Sequence, residues 1–211
     1  MGATSSFKSG AGAELERPAS GVYPARCVQV VELGTHDKEW QGKIKKTAEV
    51  LIVWELSELM EDGRPFVVNW RGTNSLSDKA HLFKMLNDWR GKSFTESELE
   101  CFALGNILDK TCLLNVVTEK SKKNDKIYTN VKSIMPLAKG MNVINRVNDL
   151  VDFGITDLGT PVWDKLYPWV QKVIAEKSDE GKIFFKNKPL PERAKQADAE
   201  HEEENQDDIP F

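Results

Sequence analysis

Two lysine-rich stretches and one unusual chain end are the parts of this 211-residue sequence with chemistry to offer. The first stretch sets Lys43, Lys45 and Lys46 beside Trp40. The second, 120–126, supplies Lys120, Lys122, Lys123 and Lys126. Clustered ammonium groups attract a phosphate backbone, and an indole is a platform on which an unpaired base can stack. Trp40 sits among loop lysines, where burial is hard to arrange, so stacking is favoured there. Trp70 stands beside Arg71 at a strand end, and core and stacking roles are both open to it. Tyr128 shares a polar strand face with Asn130 and Lys132 and extends the candidate set. The chain closes on Asp207-Asp208-Ile209-Pro210-Phe211. Phe211 offers a ring to bury and an α-carboxylate to pair, and the two aspartates add electrostatic steering. A solvated acidic tail aids solubility, but solubility gains nothing from Ile-Pro-Phe.

Catalytic signatures are absent. There is no phosphate-binding Gly-x-x-x-x-Gly-Lys-Ser/Thr loop, no Gly-x-Ser-x-Gly and no His-Glu-x-x-His. Asp149, Asp152 and Asp157 are unevenly spaced, so a carboxylate-metal nuclease is an alternative without a constellation behind it. Cys27, Cys101 and Cys112 form no Cys-x-x-Cys pair, and His36, His81 and His201 stand alone. Reduced, mostly buried thiols are expected, with no structural metal and no cofactor. The expectation is a binding protein rather than an enzyme.

Charge is unevenly distributed. The net charge is −4, yet residues 198–211 hold seven acids and no Lys or Arg. Without them, 29 basic residues face 26 acidic ones, a net of +3 for residues 1–197. A basic body with an acidic end suits a nucleic-acid partner and a protein partner. No apolar run approaches the length of a membrane span, and no secretory signal is visible, so a cytoplasmic setting is expected.

The elements that must position these groups follow from periodicity. Residues 1–19 are rich in Gly, Ala and Ser and read as a flexible arm. Val22–Leu33 is a strand; Gly34–Thr47 is a loop or the ragged tips of two strands. Ala48–Leu56 is a second strand, with Ala48, Val50, Ile52, Trp54 and Leu56 on one face and Glu49, Leu51, Val53 and Glu55 on a more polar one. Asp62-Gly63 turns the chain into a third strand, Pro65–Arg71. Leu82, Met85, Leu86 and Trp89 then recur at helical spacing, with Ser77 as N-cap and Gly91 as stop. Thr95 and Glu98 form a capping box for a second short helix. Strands return over Thr111–Glu119 and Ile127–Met135. Thr160-Pro161 opens a helical stretch to Lys177, interrupted at Pro168. The order is three strands, a helical insertion and two strands. It matches a mainly β fold: a five-stranded OB-fold barrel with its helical insertion between strands 3 and 4 and an extra C-terminal helical region. In that fold the two lysine-rich loops flank one groove. The expected organisation is an arm (1–19), a DNA-binding domain (20–190, core 20–136, helical extension 140–177) and a disordered acidic tail (191–211).

The acidic residues followed by a terminal Ile-Pro-Phe resemble the tail tip of bacterial single-stranded DNA-binding proteins. The resemblance implies that the tip docks on replication, recombination and repair enzymes. Gly21-Val22-Tyr23-Pro24-Ala25-Arg26, with Trp54-Glu55-Leu56, looks like the start of single-stranded DNA-binding proteins of tailed bacteriophages, over residues 20–135 or so. That similarity implies an OB-fold and a viral replication, recombination or repair setting, with host or phage enzymes as partners. It leaves 140–177 unexplained. Val162, Trp163, Leu166, Trp169, Val170 and Val173 there could make a homo-oligomer contact or close one end of the barrel. A strand-annealing recombination protein is the rival reading. Annealing proteins form rings rich in long helices, which the strand-rich first 135 residues argue against.

Overall fold

The computed structural model describes residues 16–121, 126–143 and 145–197, with Trp40 described by its backbone alone. The alternation that marks a strand over 48–56 belongs to a much longer element. β1 (Gly21–Trp40) and β2 (Lys43–Leu59) form one antiparallel hairpin closed by Gln41 and Gly42. Both closing residues have positive φ, 51° and 72°. That is the two-residue turn whose twist matches the flanking strands. Of the two expectations for 34–47, a loop or the ragged tips of two strands, the structure gives the second in extended form: a ladder running without a break from Gly34↔Glu49 to Trp40↔Lys43. Its polar side chains mark solvent, and backbone pairing is indifferent to them.

β3 (Pro65–Thr73) returns against β2 through a turn at Gly63, whose φ is 81°. β4 (Thr111–Lys120) pairs with residues 21–26 of β1 and with β5 (Ile127–Met135). β6 (Val151–Phe153) lies parallel to β1 beside Gln29–Val31. One edge of β1 thus changes partner from β4 to β6 at the bulge between Cys27 and Gln29. The result is a six-stranded open sheet of order β3-β2-β1-β4-β5, with β6 on β1. The expectation of a closed five-stranded barrel is corrected to this extent. β3 and β5 are the sheet edges and share no ladder, although Cα atoms of the two come within 8 Å.

The insertion between β3 and β4 holds α1 (His81–Arg90) and α2 (Glu96–Glu100). Leu82, Met85, Leu86 and Trp89 are buried, as their spacing requires, and Gly91 ends α1 at φ 67°. The helix starts at Ala80 without a side-chain cap, not at Ser77. The Ser77 carbonyl instead accepts from the Ala80 N–H. α2 has the expected box, Glu98 N–H to Thr95 Oγ1 at 3.2 Å and Thr95 N–H to Glu98 Oε2 at 2.9 Å.

Both faces of β1 and β2 are covered. Val50, Ile52, Trp54 and Leu56 face a core shared with α1, β3, β4 and β5. Leu51 and Val53, on the face read as more polar, pack with Val28, Val31 and Leu33 under Val151, Phe153, Trp163, Leu166, Val170 and Ile174. The extra helical region is thus the cover of a second core, on the sheet face opposite α1. It comprises α3 (Pro168–Lys177), α4 (Asp179–Phe185) and α5 (Glu192–Lys195). It extends past residue 177, because Ser178 caps α4 through the Gly181 N–H at 2.9 Å. It also takes in 191–197, expected as tail. Ala194 is buried, and Arg193 donates to Gln171 Oε1 at 3.2 Å. At the other end, residues 16–19 are docked rather than loose. Thr118 Oγ1 donates to Pro18 O at 2.7 Å and Tyr23 Oη to Ala19 O at 2.7 Å.

Candidate nucleic-acid interface

The far part of the β1–β2 hairpin is an arm, with residues 41–46 all exposed. Its register sorts charge by face. Residues directly opposite in an antiparallel ladder share a face, and successive residues alternate. Lys38 is opposite Lys45, and Trp40 is opposite Lys43, so Lys38, Lys43 and Lys45 share one face at the register of Trp40. Asp37 opposite Lys46 and Glu39 opposite Ile44 make the other face. No acid shares the lysine face until Glu49, at the root. Like charges directly opposite weaken a hairpin. Lys38 relieves this by turning to Glu49, at 3.0 Å, which leaves Lys43 and Lys45 as the exposed cations of that face.

Lys46, grouped with Lys43 and Lys45 in the sequence, belongs to the opposite face. Its ammonium lies 2.8 Å from both Asp37 and Asp179. Hydrogen bonds first to Asp179 and then to Asp37 raise its pKa. Its charge is already met within the chain, so it is a poor phosphate contact.

Two further candidates move into the interior. Trp70 is 1% exposed and packs edge-on against His81, with centroids 5.5 Å apart. Of its two open roles, the structure gives it the core one. Arg71 reaches Glu49 Oε2 at 2.7 Å through Nε and 2.5 Å through Nη2. Glu49 is 1% exposed. Burial would raise its carboxyl, but Arg71 and Lys38 overcome that and hold it below its ordinary value. Arg71 therefore neutralises a buried acid at the root of the arm.

The second basic segment keeps its hairpin form. The Ser121 N–H donates to Lys126 O at 2.7 Å and closes the base of the turn. Lys120 and Lys126 are exposed there, whereas Lys122 and Lys123 lie outside the described residues. Tyr128, opposite Glu119, and Asn130, opposite Val117, are half-buried on one β5 face with the exposed Lys132. Lys132 lies 3.6 Å from Glu119, a carboxylate on the same surface.

The two segments do not meet at one tip. β4 runs antiparallel to β1, and its Lys120 end passes beyond Gly21, whereas the arm grows from the other end of β1. They bracket the sheet lengthwise. Lys38 belongs to the same basic stretch in the sequence but was not among the candidate contacts, and the register makes it a member of this face. The Gln41-Gly42 turn was the signal for it, since a two-residue turn fixes every pair that follows. The side chain of Trp40 and all of Asp207, Asp208, Ile209, Pro210 and Phe211 lie outside the described residues.

Among the described residues no group of three His, Cys, Asp or Glu side chains is arranged to hold a metal ion, and no helix is long and apolar enough to cross a membrane. Cys27 and Cys112 are buried, and burial pushes both thiols up; Cys101 is exposed, and none of the three is disulfide-bonded. No protein-family model matches the chain, and no curated protein is significantly similar to it.

Proposed function

We propose that this chain binds single-stranded DNA without a catalytic step, on an OB-type scaffold, and recruits DNA-metabolism enzymes through its acidic tip. The observation that carries the reading is the sorted arm: Lys43 and Lys45, exposed and acid-free on their face, at the register of Trp40. Lysines two apart on a strand lie about 7 Å from one another, a row along which a flexible backbone can run. A tryptophan at the same level favours an unpaired strand, because stacking needs a base that is free of its partner. Lys120, Lys126, Tyr128 and Lys132 offer a second contact region toward the other end of the sheet. The strand order, with α1 between β3 and β4 and with nearby edges, supports the OB assignment. The setting that fits is the host cytoplasm, at phage DNA under replication, recombination or repair.

Fluorescence anisotropy with labelled single-stranded and duplex oligonucleotides across a salt series tests this. Single strands are expected to bind more tightly, with little sequence preference. Lys43→Ala with Lys45→Ala is expected to flatten the log K against log salt slope by about 1.4, at about 0.7 for each phosphate that is no longer neutralised. Equal affinity for duplex and single strand, or an unchanged slope, overturns the reading.

A further inference from the structure

The lysine face of the arm continues into the sheet face that the C-terminal cover occupies. Every β2 residue from Lys43 to Trp54 has a partner in β1, so Lys43, Lys45, Glu49, Leu51 and Val53 share one face. Leu51 and Val53 belong to the second core, with Val170 and Ile174 of α3. The cover meets the arm at α4. Lys46 Nζ lies 2.8 Å from Asp179, and Glu180 accepts from the Thr35 N–H at 2.8 Å and from Thr35 Oγ1 at 2.7 Å. Both acids that open α4 are thus engaged by the arm. Asp179, Lys182 and Lys186 follow at i, i+3 and i+7, one stripe of a helix. The root of the arm therefore abuts the stripe on which Lys182 and Lys186 stand.

These two lysines, with Lys188, are the exposed rim of an open groove of about 300 Å³. Ala175, Phe185 and Leu190 give it an apolar floor, and one acid, Glu176, lines it. The Phe185 ring is braced on Trp163, with centroids 5.3 Å apart, and Lys188 Nζ is held 3.7 Å from the centre of the Phe184 ring. Cations around a small apolar slot are what a single strand needs, phosphates outside and a base within. We infer that the C-terminal cover is a further contact for single-stranded DNA. The strand that lies along Lys43 and Lys45 continues across α4, with phosphates on Lys182, Lys186 and Lys188 and one base in the groove. The inference rests on reading the arm as a single-strand site. The path is short: Lys43 to Lys46 is about 10 Å of strand, and Asp179 to Lys186 about 10 Å of helix. That lies within a site of ~4–16 nucleotides. Continuity with the arm favours the strand over an acidic protein, which would need the groove alone.

Anisotropy titrations of the full-length protein with single strands of about 16 nucleotides test this. The Lys182→Ala, Lys186→Ala, Lys188→Ala triple variant is expected to flatten the log K against log salt slope by about 2.1, at about 0.7 for each phosphate released. Joined to Lys43→Ala and Lys45→Ala, the flattening is expected to reach about 3.5. All three lysines are exposed and outside both cores, so the fold is expected to hold. Strands carrying 5-iododeoxyuridine, irradiated on the wild-type protein, are expected to cross-link to a peptide containing Phe185 as well as to the arm. A slope that the triple variant leaves unchanged, while the Lys43 and Lys45 double variant still flattens it, overturns this inference alone. Cross-links confined to the arm also overturn it. An unchanged slope with loss of captured enzymes assigns the groove to an acidic protein partner and overturns it too. A wild type that binds duplex as tightly as single strands overturns the arm reading beneath it.

Discussion

Glu49 shows how one buried charge decides the roles of its neighbours. Its carboxylate holds Arg71 and Lys38, and His36 lies nearby, 5% exposed, with its Nε2 3.0 Å from Leu33 O. Removing one partner of a buried ion pair leaves an uncompensated charge, at a cost of about 3–5 kcal/mol. Lys38 remains in Arg71→Ala, so a loss of about 3 kcal/mol in urea unfolding is expected, with DNA affinity per folded molecule little changed. The reverse pattern, full stability with weakened DNA binding, would return Arg71 to the interface. The same cluster makes stability depend on pH. Burial lowers the His36 pKa, against a partial opposing pull from Glu49, and Glu49 is lowered as described. The folded chain therefore binds fewer protons than the unfolded chain below the ordinary values of 6.5 and 4.5. Stability is complete above the first value and is lost on acidification, through His36 first and Glu49 later. Tm is expected to fall between about pH 7 and pH 5, and His36→Gln to flatten that decline. A wild-type Tm that stays level over this interval would show that burial does not hold His36 neutral.

Between elements, a second buried carboxylate fastens the C-terminal cover to the sheet. Glu55 is 1% exposed. It accepts from the Val147 N–H at 3.2 Å, from the Asn148 N–H at 3.0 Å and from Asn148 Nδ2 at 2.9 Å. Glu55→Ala would strand donors that cost about 1–3 kcal/mol each when unmet. A loss of about 2–4 kcal/mol is expected, with faster amide exchange at Val147 and Asn148. If exchange there stays slow, some other contact holds the cover down. Nothing in the sequence announced this clasp, because a Glu on the less apolar face of a strand ordinarily faces water. The same face hid the second core. Leu51 and Val53 broke its polarity, but their cover lies about a hundred residues downstream, in a stretch of Asn, Asp and Gly without clear period. What was legible depended on local rules. The α1 stripe, the Thr95–Glu98 box, the Gly63 turn and the β4–β5 hairpin are each set by neighbours within a few residues. The arm was legible only as a loop or the ragged tips of two strands, because its polar residues do not alternate with apolar ones, although Gln41-Gly42 had fixed the register. Charge sorting, and with it the separation of Lys46 from Lys43 and Lys45, follows only once that register is known.

On the scale of the whole chain, charge divides in two, with +3 over residues 1–197 and −7 over residues 198–211. A polyanion approaching the arm meets a body whose attraction is partly cancelled by its own tail. Cancellation of this kind acts through solvent and fades within a Debye length, about 10 Å at 0.1 M salt and about 30 Å at 0.01 M. A chain ending at residue 197 is therefore expected to bind single-stranded DNA as well as the full chain at physiological salt, and more tightly near 0.01 M. Anisotropy titrations at both salts check this, and weaker binding after truncation would mean that the tail itself contributes to DNA contact. Partner capture is expected to behave in the opposite way. Truncation abolishes it at every salt, and Phe211→Ala alone removes most of it, because one buried aromatic anchor dominates a short-peptide contact. The single substitution leaves all seven acids in place, so a tail that served only solubility would not register the change. Retention of partners by Phe211→Ala would assign the tail's effect to its charge alone.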